Sequence, residues 1–353
     1  MSAVASVMTG SSKEYPAGRA LDVSRHAMML ATGAALPEEI VTNENLIGEL
    51  DLVASDRAVQ FSLGIRERRR AARGVPVSKY LCDAARQCIE RAGIHPEQID
   101  RIVYCRLFGD HSVPATSLRV LQRLGVRRGI PAMDISAACS GVLHAIDVAI
   151  SAINAGDDYV LVLGGDISVG RPEARREVDT RTAFLNGDGF AAVLLGPSDR
   201  PHFKCRYFYT DSDLYELASI PFGSVIANGS MDFSPDVLNL AMPDGRKIHK
   251  SVLESCAILS RRLLELAGMT MANIDFFITS DQTRLVWQDQ VKMLGLSESQ
   301  SVSCFHKYGN TVAAMVPLNL NEAIETGKLK RGMTVMMMGH GAGASGGGFI
   351  FTY

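Results

Sequence analysis

The sequence predicts an α/β protein built as a duplication, with two related halves whose sheets are mostly buried. Three observations carry this prediction. A helical segment ending Ala92-Gly93-Ile94 is followed by Ile99-Asp100 and the strand Arg101-Ile102-Val103-Tyr104; the same order returns with Ala267-Gly268-Met269, Ile274-Asp275 and Phe276-Phe277-Ile278-Thr279. Each copy then leads through a variable loop to a small-residue helix with a polar residue at its start, and Cys139 stands as far ahead of Gly156 as Asn310 does ahead of Gly327. After each of those glycines comes an apolar strand, Tyr159 to Leu163 or Thr334 to Met338, that ends in glycines. Helices alternating with continuous apolar runs describe sheets covered on both faces.

Taken in order, residues 1–25 form a loose extension that lacks the uninterrupted apolar core of a signal peptide. A first strand is predicted at Ala27 to Ala35, closed by Leu36-Pro37, and a helix starting at the capping signal Thr42-Asn43-Glu44 and running to about Glu49. The densest basic cluster follows, with Arg66, Arg68, Arg69, Arg70 and Arg73. It reads either as a solvated basic face or as a site for a phosphate or an acidic carrier. The duplicated units then define a first half over 26–200 and a second over 201–353. Packed about a pseudo-twofold axis, they would bring Cys139 and Asn310 together as counterparts, at the kind of junction where such folds place a ligand.

Composition bounds the function. At 353 residues, with 47% hydrophobic and 21% charged residues, the chain can bury a large core. Its net charge of -2 gives no reason to expect nucleic acid. The seven cysteines are scattered without a CxxC pair, which indicates neither a disulfide framework nor a metal site and fits a reducing cytoplasm. No apolar run reaches membrane-spanning length. Among these cysteines Cys139 stands out, in Asp134-Ile135-Ser136-Ala137-Ala138-Cys139-Ser140-Gly141 before an Ala-rich apolar run. A cysteine among small residues at a helix start has its thiolate favoured by the positive helix end and leaves room for a bulky partner, as a nucleophile requires. A buried structural cysteine is the alternative reading.

Four motifs in order, Ala137-Ala138-Cys139-Ser140-Gly141, Asn186-Gly187-Asp188-Gly189, Tyr308-Gly309-Asn310-Thr311 and the glycine-rich Gly339 to Gly348, resemble the β-ketoacyl-acyl-carrier-protein synthase III group of the thiolase superfamily. The similarity runs from about residue 27 to the C-terminus. It implies a five-layer αβαβα fold, usually a homodimer, and no tightly bound cofactor. Cys139 would take an acyl group from coenzyme A or an acyl carrier protein, with the backbone N–H groups of Cys139 and Ala342, flanked by Gly341 and Gly343, as oxyanion hole. Arg66 and Arg284 are candidate substrate contacts, and the loop Asp110-His111-Ser112-Val113 would reach the neighbouring subunit's acyl tunnel, with Val113 limiting chain length.

Two departures stand out. Where the family carries a histidine in a His-Gln-Ala-Asn-type motif, this chain reads Ser280-Asp281-Gln282-Thr283-Arg284, with Asp281 in place of the histidine. A carboxylate anion repels an enolate, so decarboxylative condensation is disfavoured, and Asp281 is expected instead to act as a base or to orient His340. His340 stands beside the oxyanion loop, either as a general acid or base or merely packed in the cleft, whereas His144 and His306 read as structural. The tryptophan and arginine with which the family clamps adenine are replaced by Ala58 and Ser62. The expected activity is therefore acyl transfer through Cys139, Asp281, Asn310 and His340 to an oxygen, nitrogen, sulfur or stabilised carbon acceptor in fatty-acid-like, polyketide or specialised metabolism. The alternatives are a decarboxylating synthase with an altered dyad, and a non-catalytic subunit.

Overall fold

The computed structural model describes residues 25–168, 182–221 and 240–353. The expected extension therefore lies, apart from Arg25, outside the described residues. One sheet has the order β1 (His26–Ala35), β7 (Gly189–Ser198), β6 (Val160–Asp166), β4 (Arg101–Cys105), β5 (Ala132–Ile135). The other has the order β8 (Phe203–Thr210), β11 (Ser345–Thr352), β10 (Thr334–Gly341), β9 (Phe276–Thr279). The first four positions match in direction as well as order: β7 runs antiparallel to β1 and β6, as β11 does to β8 and β10, and the next pair in each sheet is parallel. The fifth position of the second sheet survives as a single parallel bridge between Phe277 and Ser301.

The small-residue helices Gly141–Asn154 and Met315–Glu325 lie between the sheets. Their apolar side chains, Val142, Ile146, Val316 and Leu320 among them, pack against Val103, Val162 and Val193 of one sheet and Ile278, Val335 and Phe349 of the other. Alanine and glycine let the sheets approach, while the branched residues fill the gap; a fully buried Val, Leu or Ile contributes roughly 1.5–3 kcal/mol. The helix Val77–Ala92 covers the outer face of the first sheet, with Leu81, Ala85 and Ile89 buried there, and Gly245–Ala267 covers the second with Cys256, Leu259 and Leu263. The result is the five-layer αβαβα arrangement expected of the thiolase fold. Both outer helices end in a left-handed glycine, Gly93 and Gly268, at the repeated motif.

Two expectations are corrected. The basic cluster is not one solvated face: residues Glu67–Arg70 form β3, paired antiparallel with β2 (Glu39–Thr42), while Arg66 and Arg73 on either side of it are exposed. Strand alternation buries Arg68 and Arg70. Arg68 donates to the carbonyls of Val41 and Phe184 and to Asn43 Oδ1, and Arg70 pairs with Glu39 and Glu49. The equal spacing of Cys139 and Asn310 from their glycines is also not a structural equivalence. The first inner helix has 14 residues and the second 11, each after a short 3-10 turn, so Cys139 at the centre of Ala138–Ser140 corresponds to Ala313 at the centre of Val312–Ala314. Asn310 lies three residues earlier, in the preceding loop.

Candidate active site

Parallel strands deliver their C-terminal ends to one side of each sheet, and the loops there converge on a cavity of about 720 Å³. Cys139, Asn310, His340, Gly341, Ala342 and Gly343 all line it. Cys139 follows β5 on the turn Ala138–Ser140, where Ala138 itself is left-handed at φ 47°, a conformation costly for a residue with a β-carbon. From this turn Cys139 lines the cavity. Asp134 anchors the approach by accepting from the N–H groups of Thr116 at 2.7 Å and Ser117 at 2.9 Å.

The loop joining β10 to β11 rests on this turn. Gly341 lies directly against Ser140 and the Ala137 carbonyl, and the Ser140 and Ser345 hydroxyls meet at 2.6 Å. Ala342 is therefore held exposed at the cavity rim beside the thiol turn.

Asn310 is placed by main chain. Its N–H donates to the Leu185 carbonyl at 2.7 Å and its carbonyl accepts from Gly187 at 3.1 Å, so the Asn186 and Asn310 motifs run side by side. Gly187 is required here, since a methyl group would lie 1.8 Å from the Tyr308 carbonyl oxygen. Asp188 fixes the same loop by accepting from Ala71 N and Ser168 N. Because Asn310 Oδ1 accepts from Val312 N at 2.8 Å, the amide nitrogen remains to face Cys139. Burial pushes the Cys139 thiol up to about 11, against the opposing pull of that Asn310 hydrogen bond. The free thiol is thus protonated at neutral pH, and the donors around it favour the thiolate once a base or a substrate's charge shifts the balance.

His340, near the end of β10, is buried, and its ring is pushed down to about 4 by that burial. Its Nε2 meets Ser251 Oγ at 3.2 Å while the same hydroxyl donates to the Ile248 carbonyl at 2.8 Å. A carbonyl only accepts, so the serine proton is committed and Nε2 carries the imidazole hydrogen. Nδ1 is buried without a hydrogen-bond partner. Neutral imidazole is accordingly the form at neutral pH.

Asp281 does not do what the sequence suggests. It is buried, does not line the cavity, and has both oxygens occupied: Oδ1 accepts from Asn319 Nδ2 at 2.6 Å, and Oδ2 accepts from Phe305 N at 3.1 Å and from the Ser303 hydroxyl. No hydrogen bond joins it to His340, whose ring partner is Ser251. Burial raises its carboxyl to about 6, against the pull of those three donors. Next to it, Thr283 is the N-cap of the helix Arg284–Met293, its side chain accepting from Val286 N. Ser280 is fully buried and its hydroxyl accepts from His340 N. Only Gln282 of this segment lines the cavity, its side chain donating to the His340 carbonyl at 2.9 Å.

Three other expected contacts are not gathered at the thiol. Arg66 is exposed and outside the cavity lining, Arg284 lines a separate surface groove with Trp287 and His306, and Val113 is 85% exposed. Its neighbours Asp110, His111 and Ser112 do line the cavity. His144 is packed on Phe208 at 4.6 Å between ring centres, and His306 lies outside the cavity lining, as structural readings require. Sequence reasoning missed Ser251, Gln282, Arg106 and an apolar wall that includes Leu46, Leu50, Leu214, Leu217 and Met242. Gln282 lies in the segment set against the His-Gln-Ala-Asn motif; the others belong to no motif, and only the fold brings them together. Among the described residues no group of potential ligands is clustered to hold a metal ion, and no helix is long and apolar enough to cross a membrane.

Comparison with known proteins agrees with this arrangement. The family model for 3-oxoacyl-[acyl-carrier-protein (ACP)] synthase III matches residues 133–213, and that for its C-terminal region matches 264–353. The β-ketoacyl-[acyl-carrier-protein] synthase III of Neisseria meningitidis serogroup A is 30% identical over 332 residues, 93% of this chain and 100% of that protein. Crystal structures of 3-oxoacyl-[acyl-carrier-protein] synthase III from Aquifex aeolicus and of the priming β-ketosynthase of the R1128 polyketide biosynthetic pathway superpose with TM-scores of 0.82 and 0.83. They are 29% and 26% identical and cover 93% and 97% of this chain, and 100% and 98% of their own. With two family models in order along the chain and a full-length relative at this identity, the chain belongs to the β-ketoacyl-[acyl-carrier-protein] synthase III family, transferases of the thiolase superfamily.

Proposed function

We propose that the protein accepts an acyl group on Cys139 from an acyl-CoA or acyl-carrier-protein thioester and passes it to a nucleophile other than a decarboxylating malonyl unit. The observation that carries this reading is the lining of the cavity: the thiol, Asn310 and the Ala342 turn share it, while Ser280 and Asp281 at the end of β9 are both buried outside it. Acylation needs a thiolate and donors for the developing oxyanion. The backbone N–H groups of Cys139 and Ala342 serve as those donors, a contribution of roughly 3–4 kcal/mol for one such donor. Decarboxylation needs in addition two side-chain donors on the thioester carbonyl, and from the β9 end only the Gln282 side chain is at hand, already engaged with the His340 carbonyl. The apolar wall from Leu46 to Met242 suits the acyl chain.

In the second half-reaction the acceptor attacks the Cys139 thioester, the acceptor–carbon bond forms, the carbon–sulfur bond breaks, and the acceptor's proton ends on the released thiolate. The enzyme works as a homodimer with exposed Val113 at the subunit contact. A second reading, condensation through a His340–Asn310 dyad, draws on one observation: His340 lines the cavity as a neutral ring, whose N–H would have to leave Ser251 to reach a substrate. Intact-protein mass after incubation with a panel of acyl thioesters, together with carbon dioxide release from a malonyl thioester, separates the readings. Acyl mass on Cys139 without release supports acyl transfer, and rapid release supports condensation. No acyl mass with any donor overturns both and leaves a non-catalytic subunit.

A further inference from the structure

Asp281 occupies a place where an ionisable group would be expected to touch substrate, yet its contacts run away from the cavity and toward the segment that carries Asn310. Oδ2 accepts from Ser303 Oγ and Phe305 N, and Oδ1 accepts from Asn319 Nδ2. Asn319, fully buried on the inner helix Met315–Glu325, completes the cluster: its Oδ1 accepts from Cys304 N at 2.9 Å and its Nδ2 also donates to the Thr279 carbonyl at 3.0 Å. Together the two side chains hold residues 303–305 to the end of β9. The short helix Phe305–Tyr308 starts there and leads directly into Gly309-Asn310. The ionisable groups packed nearest are Cys304, buried beside the carboxylate, and the pair Lys307 and Glu322, whose charges meet each other at 2.8 Å.

We infer that Asp281 and Asn319 act as one positioning unit, an acceptor-only side chain facing a mixed donor–acceptor one, that sets where Asn310 presents its amide to Cys139. Asp281 is on this account a positioning residue and touches no substrate. The proton pattern explains why a carboxylate is needed. Three donors converge on Asp281, so an asparagine there points its own NH₂ at the Asn319 NH₂, and Asn319 cannot turn over without losing both Cys304 N and the Thr279 carbonyl. Exchanging the two residues restores the pattern in part. In Asp281→Asn/Asn319→Asp, the new amide oxygen accepts from Ser303 and Phe305, its NH₂ donates to the new carboxylate, and that carboxylate accepts from Cys304 N. The bond to the Thr279 carbonyl is lost, and a carboxylate oxygen then stands 3.0 Å from that carbonyl oxygen.

The test uses the full-length protein and iodoacetamide as probe, following the rate of Cys139 alkylation against pH by intact mass. It needs no knowledge of the natural substrate. It relies on the assignment of Asn310 as the group facing the thiol, while the acylation assay above tests the functional reading separately. Asp281→Asn should move the alkylation profile to higher pH and slow alkylation at pH 7 by roughly 10-fold, because about 1.4 kcal/mol of thiolate stabilisation is a factor of ten. Asp281→Asn/Asn319→Asp should recover at least about 3-fold of that 10-fold loss, the remainder reflecting the carboxylate now facing the Thr279 carbonyl. Ser303→Ala, which removes one donor without creating a clash, should move the profile in the same direction by less and serves where the single exchange fails to fold. An unshifted profile in Ser303→Ala and Asp281→Asn overturns the inference. So does a folded double variant that remains as displaced as Asp281→Asn.

Discussion

Gly141 opens the helix behind Cys139 with φ -62° and ψ -34°, a conformation any residue adopts, so backbone freedom does not explain it. Space does. A methyl group at this position would lie 2.0 Å from Cys105 Sγ and 3.5 Å from the Ala137 and Cys105 β-carbons. The last two are ordinary contacts; the first is roughly 1.5–2 Å too short, and the Cys105 sulfur must leave its place beside the Ala138 carbonyl within a buried site, or the end of β4 or the Cys139 turn must yield. Forced overpacking of this kind costs about 1–3 kcal/mol and occasionally more, while glycine to alanine in a helix returns up to about 1. Gly141→Ala should therefore destabilise the protein by about 1–2 kcal/mol in urea unfolding and slow Cys139 alkylation. Removing the obstructing sulfur should reverse this: Cys105→Ala/Gly141→Ala should be less destabilised than Gly141→Ala and Cys105→Ala taken together, by a coupling of roughly 1–2 kcal/mol between touching residues. A Gly141→Ala protein as stable as the original, or a double variant as destabilised as the two single variants summed, would refute the packing argument.

Other expectations follow from the same geometry. Cys139→Ala should abolish acyl loading, read by intact mass; an adduct that maps to Cys105 or Cys304 would show that another thiol is the nucleophile. His340, held near 4 by burial, should titrate by ring NMR well below 6.5. Its folded value is depressed, so the stability it contributes is present above about 6.5 and lost as pH falls toward 4, about 3 kcal/mol in all, and a His340→Gln protein should lack this loss. A ring midpoint at 6 or above would mean that water reaches it. Val113→Asp should shift sedimentation from dimer to monomer, and an unmodified protein that already sediments as a monomer at micromolar concentration would remove the subunit contact from the proposal.

The duplication was legible because burial on both faces leaves a continuous apolar signature: Phe276–Thr279 is the predicted strand residue for residue, and β1 differs from its prediction only at His26. The thiol turn, the Asn310 loop and the glycine-rich hairpin were likewise readable, since each is a local backbone requirement written in small residues. Long-range partners were not. Arg68 and Arg70 look like surface charges until β3 is paired and their neutral or acidic acceptors are in place. Asp281 looks catalytic from its neighbourhood in the chain, but which way its carboxylate faces depends on Ser303 and Asn319, 22 and 38 residues away. Counting to a glycine also misled at Asn310, because helix length is free to differ between copies while the trailing turn is fixed.

The pairing of the Asn186 and Asn310 motifs has a consequence for how this site can diverge. The bonds that join the two halves there run from Asn310 N to the Leu185 carbonyl and from Gly187 N to the Asn310 carbonyl, peptide group to peptide group. Every amino acid except proline supplies the same N–H and C=O, so substitutions at Leu185 leave this seam unaltered, whereas Gly187 is fixed by the Tyr308 carbonyl close against it. Side chains around the site can then change, as with Asp281 where the family motif carries a histidine, while the main-chain pairing that holds Asn310 persists. The frame behaves as a fixed socket into which successive sets of side chains are fitted.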